Sequence, residues 1–333
     1  MKRTDRLLPV LVLVTLVCAI AALGLGNYKL SPSEVVRALA SLWSPDNDIP
    51  PMLRSVVLSV RLPRVLLALA AGAGLAAAGA AFQALFCNPL ATPDTLGVAT
   101  GAAFGAVLAI LFGWSGAAVQ LAALAAGLAA VVLVIAVSRV RSQSSILMLI
   151  LSGLVISAFF SSLISLVKYA ADPQDVLPAI TFWLMGSLTG ATMKSLAAGL
   201  PFIAAGCALL WLLRWKLNAL SLPEDEAKSL GLPVARLRLT VILAATMITA
   251  SIVSMCGMIG WVGLLIPHFA RLLRGSSNES VLPLSIVLGA LFVLAADTIA
   301  RCGSEMEIPV SILTALSGAP VFIWLLRRSG GIR

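Results

Sequence analysis

Ala70-Ala71-Gly72-Ala73-Gly74-Leu75-Ala76-Ala77-Ala78-Gly79-Ala80 sits inside an apolar run, 62–86, whose interior holds one amide, Gln83, and whose one charge, Arg64, stands at its first end just after Arg61. A helix of this length rises more than 30 Å, enough to cross the hydrocarbon core of a bilayer. Gly72, Ala76 and Ala80 recur every four positions. Small residues at that spacing let helix backbones approach closely in lipid. The stripe alone is equally compatible with a tightly packed bundle and with a helix beside a pathway.

Apolar runs of the same kind fall at 7–27, 95–113, 116–138, 146–168, 196–213, 238–256, 258–272, 281–300 and 309–326. With 62–86 they make ten, the eighth being short. At roughly 20 residues per span, ten spans take about 200 of the 333 residues, which leaves loops and no room for a soluble domain. Composition agrees: 60% of residues are hydrophobic and 11% charged, against about a quarter charged in a soluble domain. The fold class is therefore all-α, a polytopic membrane protein formed by residues 1–333 as one domain, and a soluble enzyme is excluded. Met1-Lys2-Arg3 before the first run resembles a signal peptide, but the spans that follow favour a retained first helix.

Counted from an N-terminus on the inside, fifteen Lys and Arg fall in inside segments and eight in outside segments, accounting for all 23. This bias predicts both termini in the cytoplasm, and it explains the net charge of +9 without nucleic acid. The outside segments 28–60 and 169–194 are long enough to hold short helices or ordered loops. Cys18, Cys87, Cys207, Cys256 and Cys302 are scattered singly and read as packing residues.

The 14 acids lie in loops or near span ends; Asp297 comes closest to mid-membrane, with Arg301 one turn on to pair with. Carriers driven by ion gradients place ionisable groups within the membrane, so this sparsity weighs against them. The chain also lacks Gly-x-x-x-x-Gly-Lys-Ser/Thr, so ATP hydrolysis, with its ATP and Mg, belongs on another polypeptide. Between the sixth and seventh spans, Ser221 as a cap, Pro223, Glu224, Asp225 and Glu226 read as a helix start, with Gly231 and Pro233 as its stop. A short inside helix follows, either a solvated connector or a lever that docks into a partner.

These residues together resemble the membrane permeases of iron-chelate and vitamin B12 uptake ABC transporters. The resemblance runs nearly the whole length. It rests on Arg61-Leu62-Pro63-Arg64, on Gln83 followed by Asn88-Pro89-Leu90-Ala91, Pro93 and Leu96-Gly97, and on Trp183 with Gly186-Ser187-Leu188. Glu226-Ala227 with Leu230-Gly231 and the run Ile259-Gly260-Trp261-Val262-Gly263-Leu264-Leu265-Ile266-Pro267-His268 with Arg271 continue it. Pro283, Ser285 and Gly289-Ala290, then Ala296-Asp297 with Arg301, Glu307 with Pro309-Val310, and Thr314-Ala315 with Gly318-Ala319-Pro320 complete it.

The resemblance implies a vitamin B12 permease-like fold with spans two to five and seven to ten as a possible inverted repeat. It also implies a second permease copy or a homologous permease, two cytoplasmic ABC ATPases and a soluble substrate-binding protein outside. It gives Arg61, Arg64 and Arg301 the role of docking the binding protein. Glu224, Asp225, Glu226, Ala227, Leu230 and Gly231, within a segment of about 219–235, become the coupling helix toward the ATPase. Ser144 and Ser145 become a narrow cytoplasmic gate or, more simply, a helix cap. Pro223 and the segment 275–280 depart from the family pattern. His268, the one histidine, lacks the neighbours a metal ligand needs and reads, with Pro267, as a helix end; Asn88-Pro89 ends the second span likewise. Gln83, Gly97, Gly260, Gly263 and Asp297 are read as structural. The implied cargo is an iron chelate, a ferric siderophore first, with cobalamin, haem and molybdate open. A secondary transporter without an ATPase, and a membrane scaffold, are the readings from other classes.

Overall fold

The computed structural model of the chain describes residues 6–26, 28–42, 49–138, 146–222, 224–303 and 307–328. Among these residues every regular element is helical. In lipid each backbone N–H and C=O must find its partner within the protein, and a helix does so within its own segment. α1 (Leu7–Gly24) is followed by two short helices, α2 (Pro32–Ala40) and α3 (Pro51–Arg54), in the long segment where short helices were expected. Ser31 and Glu34 close a reciprocal capping box on α2.

α3 does not stop before the second span. It runs through a π-helical stretch, Ser55–Arg61, into α4 (Leu62–Leu85), so that the apolar helix extends from Pro51 and not from residue 62. The apolar run was expected to begin at 62, after Arg61, yet a charge near a helix end is tolerated where partners are at hand. The order continues α5 (Val98–Leu111), α6 (Ala117–Ser138), α7 (Ile146–Ala170), α8 (Val176–Leu184), α9 (Met193–Leu220), α10 (Glu224–Ser229), α11 (Val234–Cys256), α12 (Val262–Arg274), α13 (Asn278–Gly303) and α14 (Val310–Arg328). Seven helices among the described residues are long and apolar enough to cross a membrane, α5 and α14 are shorter apolar ones, and α12 is the tenth, brief and basic at its end. This is a multi-pass membrane protein with about ten spans.

α4 and α11 form the buried centre, whereas α1, α7 and α9 turn most of their surface outward. Glycine sets how closely α4 is approached: a Cβ on Gly72 would lie 2.0 Å from the Gly289 carbonyl oxygen of α13, and one on Gly79 would lie 2.0 Å from that of Gly263 in α12. Gly72 and Ala76 of the stripe thus form a surface on which α13 packs; a Cβ on Gly289 would meet Ala76 Cβ at 2.6 Å.

Neighbours repeat under exchange of α4–α7 with α11–α14. α4 packs on α12 and α13 as α11 packs on α5 and α6, while α7 meets α5 and α6 as α14 meets α12 and α13. The corresponding helices α5 and α12 also open alike, from a residue in the left-handed region: Gly97 at φ 70° and Trp261 at φ 71°. An internal repeat produces this pattern of neighbours.

Candidate functional site

Three polar clusters interrupt the apolar bundle. The first gathers Arg61, Arg64 and Arg301 at one end, where α1 stops and α4 begins. A helix leaves its last carbonyls without intrahelical donors, and two of the arginines supply them for α1. Arg61 Nη1 donates to Leu23 O at 2.8 Å and its Nη2 to Tyr28 O, while Arg301 Nη2 donates to Ala22 O at 2.9 Å. Arg64 donates through Nε to Asp297 Oδ1 at 2.8 Å and through Nη1 to Glu307 Oε2 at 2.6 Å. Asp297 Oδ2 lies 3.3 Å from Arg301 Nε, close enough for an ion pair.

Asp297 is fully buried and each arginine is about 5% exposed. The three arginines therefore share one end, as the span layout required, but they face inward and bind the chain itself. A guanidinium taken from water demands such partners. Glu307, quoted above only as part of a motif, is the partner that the sequence left without a role.

The second cluster lies where α4 crosses α12. Gln83, 3% exposed, donates through Nε2 to Gly263 O at 3.2 Å and Leu264 O at 3.3 Å, and its Oε1 accepts from Arg271 Nη1. Pro267 and His268 do not end a helix. They sit inside α12, which runs on to Arg274. Proline signals a stop on sequence because it lacks an N–H, yet inside a bundle other groups can take over the freed carbonyl. His268 stacks edge-on against Phe322 of α14, with ring centroids 6.2 Å apart. Among the described residues no group of three His, Cys, Asp or Glu is placed to hold a metal ion.

The connection from α4 to α5 carries Asn88, Pro89 and Gly97. Asn88 follows the helix end, and its Oδ1 accepts from Leu90 N at 2.9 Å, which fixes the turn that contains Pro89. Asp94, unremarked in sequence, caps α5: its Oδ1 accepts from Ala99 N at 2.8 Å and Thr100 N at 3.2 Å. An acid shortly before an apolar run was the available signal. Gly97 is held by α7, since a Cβ there would lie 2.8 Å from Ser157 Oγ; Gly260 has open space around it.

The third cluster is α10, at the opposite end from the arginines. α9 runs on to Leu220 and α11 begins at Val234, so within 219–235 the separate helix is Glu224–Ser229. Ala227 is buried against the bundle, while Glu224, Asp225, Glu226 and Leu230 are exposed. Glu224 bonds Lys228 Nζ at 2.8 Å and Arg238 Nη2 of α11 at 3.3 Å. The Lys228 bond, aided by Arg238, holds the Glu224 carboxyl below the usual range and raises the Lys228 ammonium in turn. Gly231, at φ 74°, ends the turn.

Ser221 does not cap α10. Its hydroxyl donates to Leu217 O at 3.1 Å and Ala84 O at 3.4 Å, tying the end of α9 to that of α4. Cys87 Sγ meets Leu220 O at 3.7 Å across the same junction. In the departing segment 275–280, Asn218 of α9 accepts from Asn278 N at 2.7 Å and donates to Ser277 Oγ at 3.3 Å, which supplies contacts for that turn. Ser144, Ser145 and Pro223 lie outside the described residues.

Ion pairs thus lie at the two ends of a helical bundle. Comparison with known proteins gives the family. The chain is 43% identical over 326 residues to a molybdate import system permease of Haemophilus influenzae, covering 96% of each chain. It is 41% identical over 277 residues to an iron chelatin transport permease of Helicobacter pylori, covering 83% of this chain and 84% of the relative. A solved structure described as a metal-chelate type ABC transporter in an inward-facing conformation superposes with a TM-score of 0.86 at 40% identity, covering 97% of this chain and 99% of that one. With the FecCD transport family model matching residues 13–328, the chain belongs to that family of transport permeases.

Proposed function

We propose that this chain is the membrane-spanning subunit of an ATP-driven importer in a bacterial cytoplasmic membrane, with both termini and α10 in the cytoplasm. The observation that carries the reading is α10, a short charged helix that exposes Asp225, Glu226 and Leu230 while Ala227 and the Glu224–Arg238 pair fix it to the bundle. A helix so mounted passes an applied force to α9 and α11 instead of absorbing it. Its partners are two ABC ATPase subunits that bind ATP and Mg, a second permease, and a soluble binding protein outside. The arginine cluster serves docking of that protein by fixing the α1 end and the Glu307 segment on which it lands. Ser144 and Ser145 form the narrow inner gate.

The cargo is an iron chelate, a ferric siderophore first, because small and weakly polar helix surfaces suit a bulky cargo that arrives already chelated. The likeness to the Haemophilus influenzae permease favours a second reading, molybdate. Reconstitution in liposomes with its ATPase and candidate binding proteins, followed by uptake of labelled ferric siderophore and of molybdate, distinguishes the two. ATP hydrolysis without uptake of either cargo, or uptake abolished by a proton ionophore but not by ATP depletion, refutes the proposal.

A further inference from the structure

Pro267 removes one hydrogen bond from α12. In an α-helix the N–H of residue 267 would donate to the carbonyl of residue 263; proline has no N–H, and its ring pushes that carbonyl aside. The Gly263 oxygen would then be an unsatisfied acceptor at a buried residue, which is costly without water. The nearest answer in the structure is Gln83 of α4, whose Nε2 donates to Gly263 O at 3.2 Å and also to Leu264 O at 3.3 Å. The Gly79–Gly263 contact, with no room for a Cβ on either side, brings α4 close enough for a glutamine to reach. Arg271, one turn beyond Pro267 on α12, holds the other end of the same amide.

We propose that Gln83 is a positioning residue for transport, acting on α12 as a detachable substitute for the backbone bond that Pro267 deletes. A backbone bond within a helix persists as long as the helix does. A bond borrowed from a neighbouring helix breaks when that neighbour slides. α4 is the neighbour best placed to be pulled, since its end is tied through Ala84 and Cys87 to Ser221 and Leu220, and the chain enters α10 four residues after Leu220. Displacement of α10 is thereby delivered to Gln83, and the Arg271 half of α12 is released or held according to where α4 stands. The transport part of this inference rests on the reading of the chain as an ATP-coupled permease; the bonding part does not.

The test is a cycle of full-length chains: wild type, Gln83→Ala, Pro267→Ala and the double variant. Thermal unfolding of each purified chain in detergent is read first. Gln83→Ala lowers the midpoint by several degrees in the wild-type background and much less in the Pro267→Ala background, where residue 267 again donates to Gly263. Equal losses in both backgrounds overturn the proposal. This arm needs no ATPase and no cargo, so it stands or falls apart from the proposed function.

Uptake per ATP hydrolysed, in liposomes with ATPase and binding protein, is read second. The double variant keeps its fold but loses most of that ratio, because a permanent bond has replaced a detachable one; a wild-type ratio overturns the positioning role. Gln83→Glu covers the case in which Pro267→Ala fails to fold. Ionised beside Arg271, it keeps that partner and gives up the donor, so it unfolds early like Gln83→Ala; a wild-type midpoint overturns the proposal.

Discussion

Replacing Asp297 by asparagine removes one charge from the arginine cluster with almost no change of shape. Arg64 and Arg301 pair with Asp297, Arg64 also with Glu307, and Arg61 bonds only backbone carbonyls, so among the described residues the cluster carries one net positive charge and the substitution leaves two. Asp297 contacts two guanidiniums, at 2.8 and 3.3 Å between nearest atoms. With charge centres about 4 Å apart and an effective dielectric near 20, each attraction is worth roughly 4 kcal/mol before desolvation. Burying the carboxylate takes back several kcal/mol of that sum. The net loss expected is about 3–5 kcal/mol, the range for breaking a buried pair from one side.

Reversible unfolding of the purified chain in mixed detergent and denaturant micelles measures this loss. Adding Arg301→Gln to Asp297→Asn removes one of the stranded cations and recovers part of it. A loss below about 1 kcal/mol for Asp297→Asn would refute the reasoning, since that is the range of exposed pairs. Simple additivity of the two substitutions would refute it equally.

Gly79→Ala places a methyl 2.0 Å from the Gly263 oxygen, so α4 and α12 must part by about an ångström; overpacking of this kind costs roughly 1–3 kcal/mol in the same unfolding assay. Gly190→Ala, with nothing within 4 Å of its Cβ, is the control and leaves stability unchanged. Asp94→Ala strips the start of α5 of its cap and costs about 1–2 kcal/mol, visible as early hydrogen exchange at Ala99 and Thr100. Glu224 has its carboxyl lowered chiefly by Lys228, so its contribution to holding α10 is fully present above the unfolded value of a glutamate. It is lost only as pH falls through the lowered folded value. A fluorophore on exposed Leu230 accordingly reports an unchanged α10 from neutral pH down to the ordinary glutamate range and a transition below it, and Glu224→Gln abolishes that transition.

The seven long spans were legible because lipid imposes one requirement, a run of apolar residues long enough to cross, and each run states it locally. Which small residues pack against which could not be read, because Gly72 and Gly289 are brought together from distant parts of the chain. The same distance hid the pairing of Arg64 with Glu307. Reading failed locally where a punctuation residue was overruled by a neighbour. Pro267 looked like a stop because its missing donor is visible in sequence, whereas the replacement donor sits on another helix. Ser221 looked like a cap because serine before an acidic turn is one elsewhere, but here its hydroxyl bonds α4 and its own helix. Arg61 looked like a surface charge because the carbonyls it serves belong to α1.

The two halves meet the same demand, a left-handed residue at the start of α5 and of α12, with opposite chemistries. Glycine at 97 adopts that backbone freely. Trp261 does so against its own Cβ and is braced by packing, edge-on to Phe322 with its side chain pressed on Gly318 of α14. The first turn therefore needs no brace for its φ, whereas the second is conditional: its geometry is only as durable as the seating of α14. A duplicated fold has in this way acquired one turn whose backbone is unstrained and one whose backbone is braced by a neighbour.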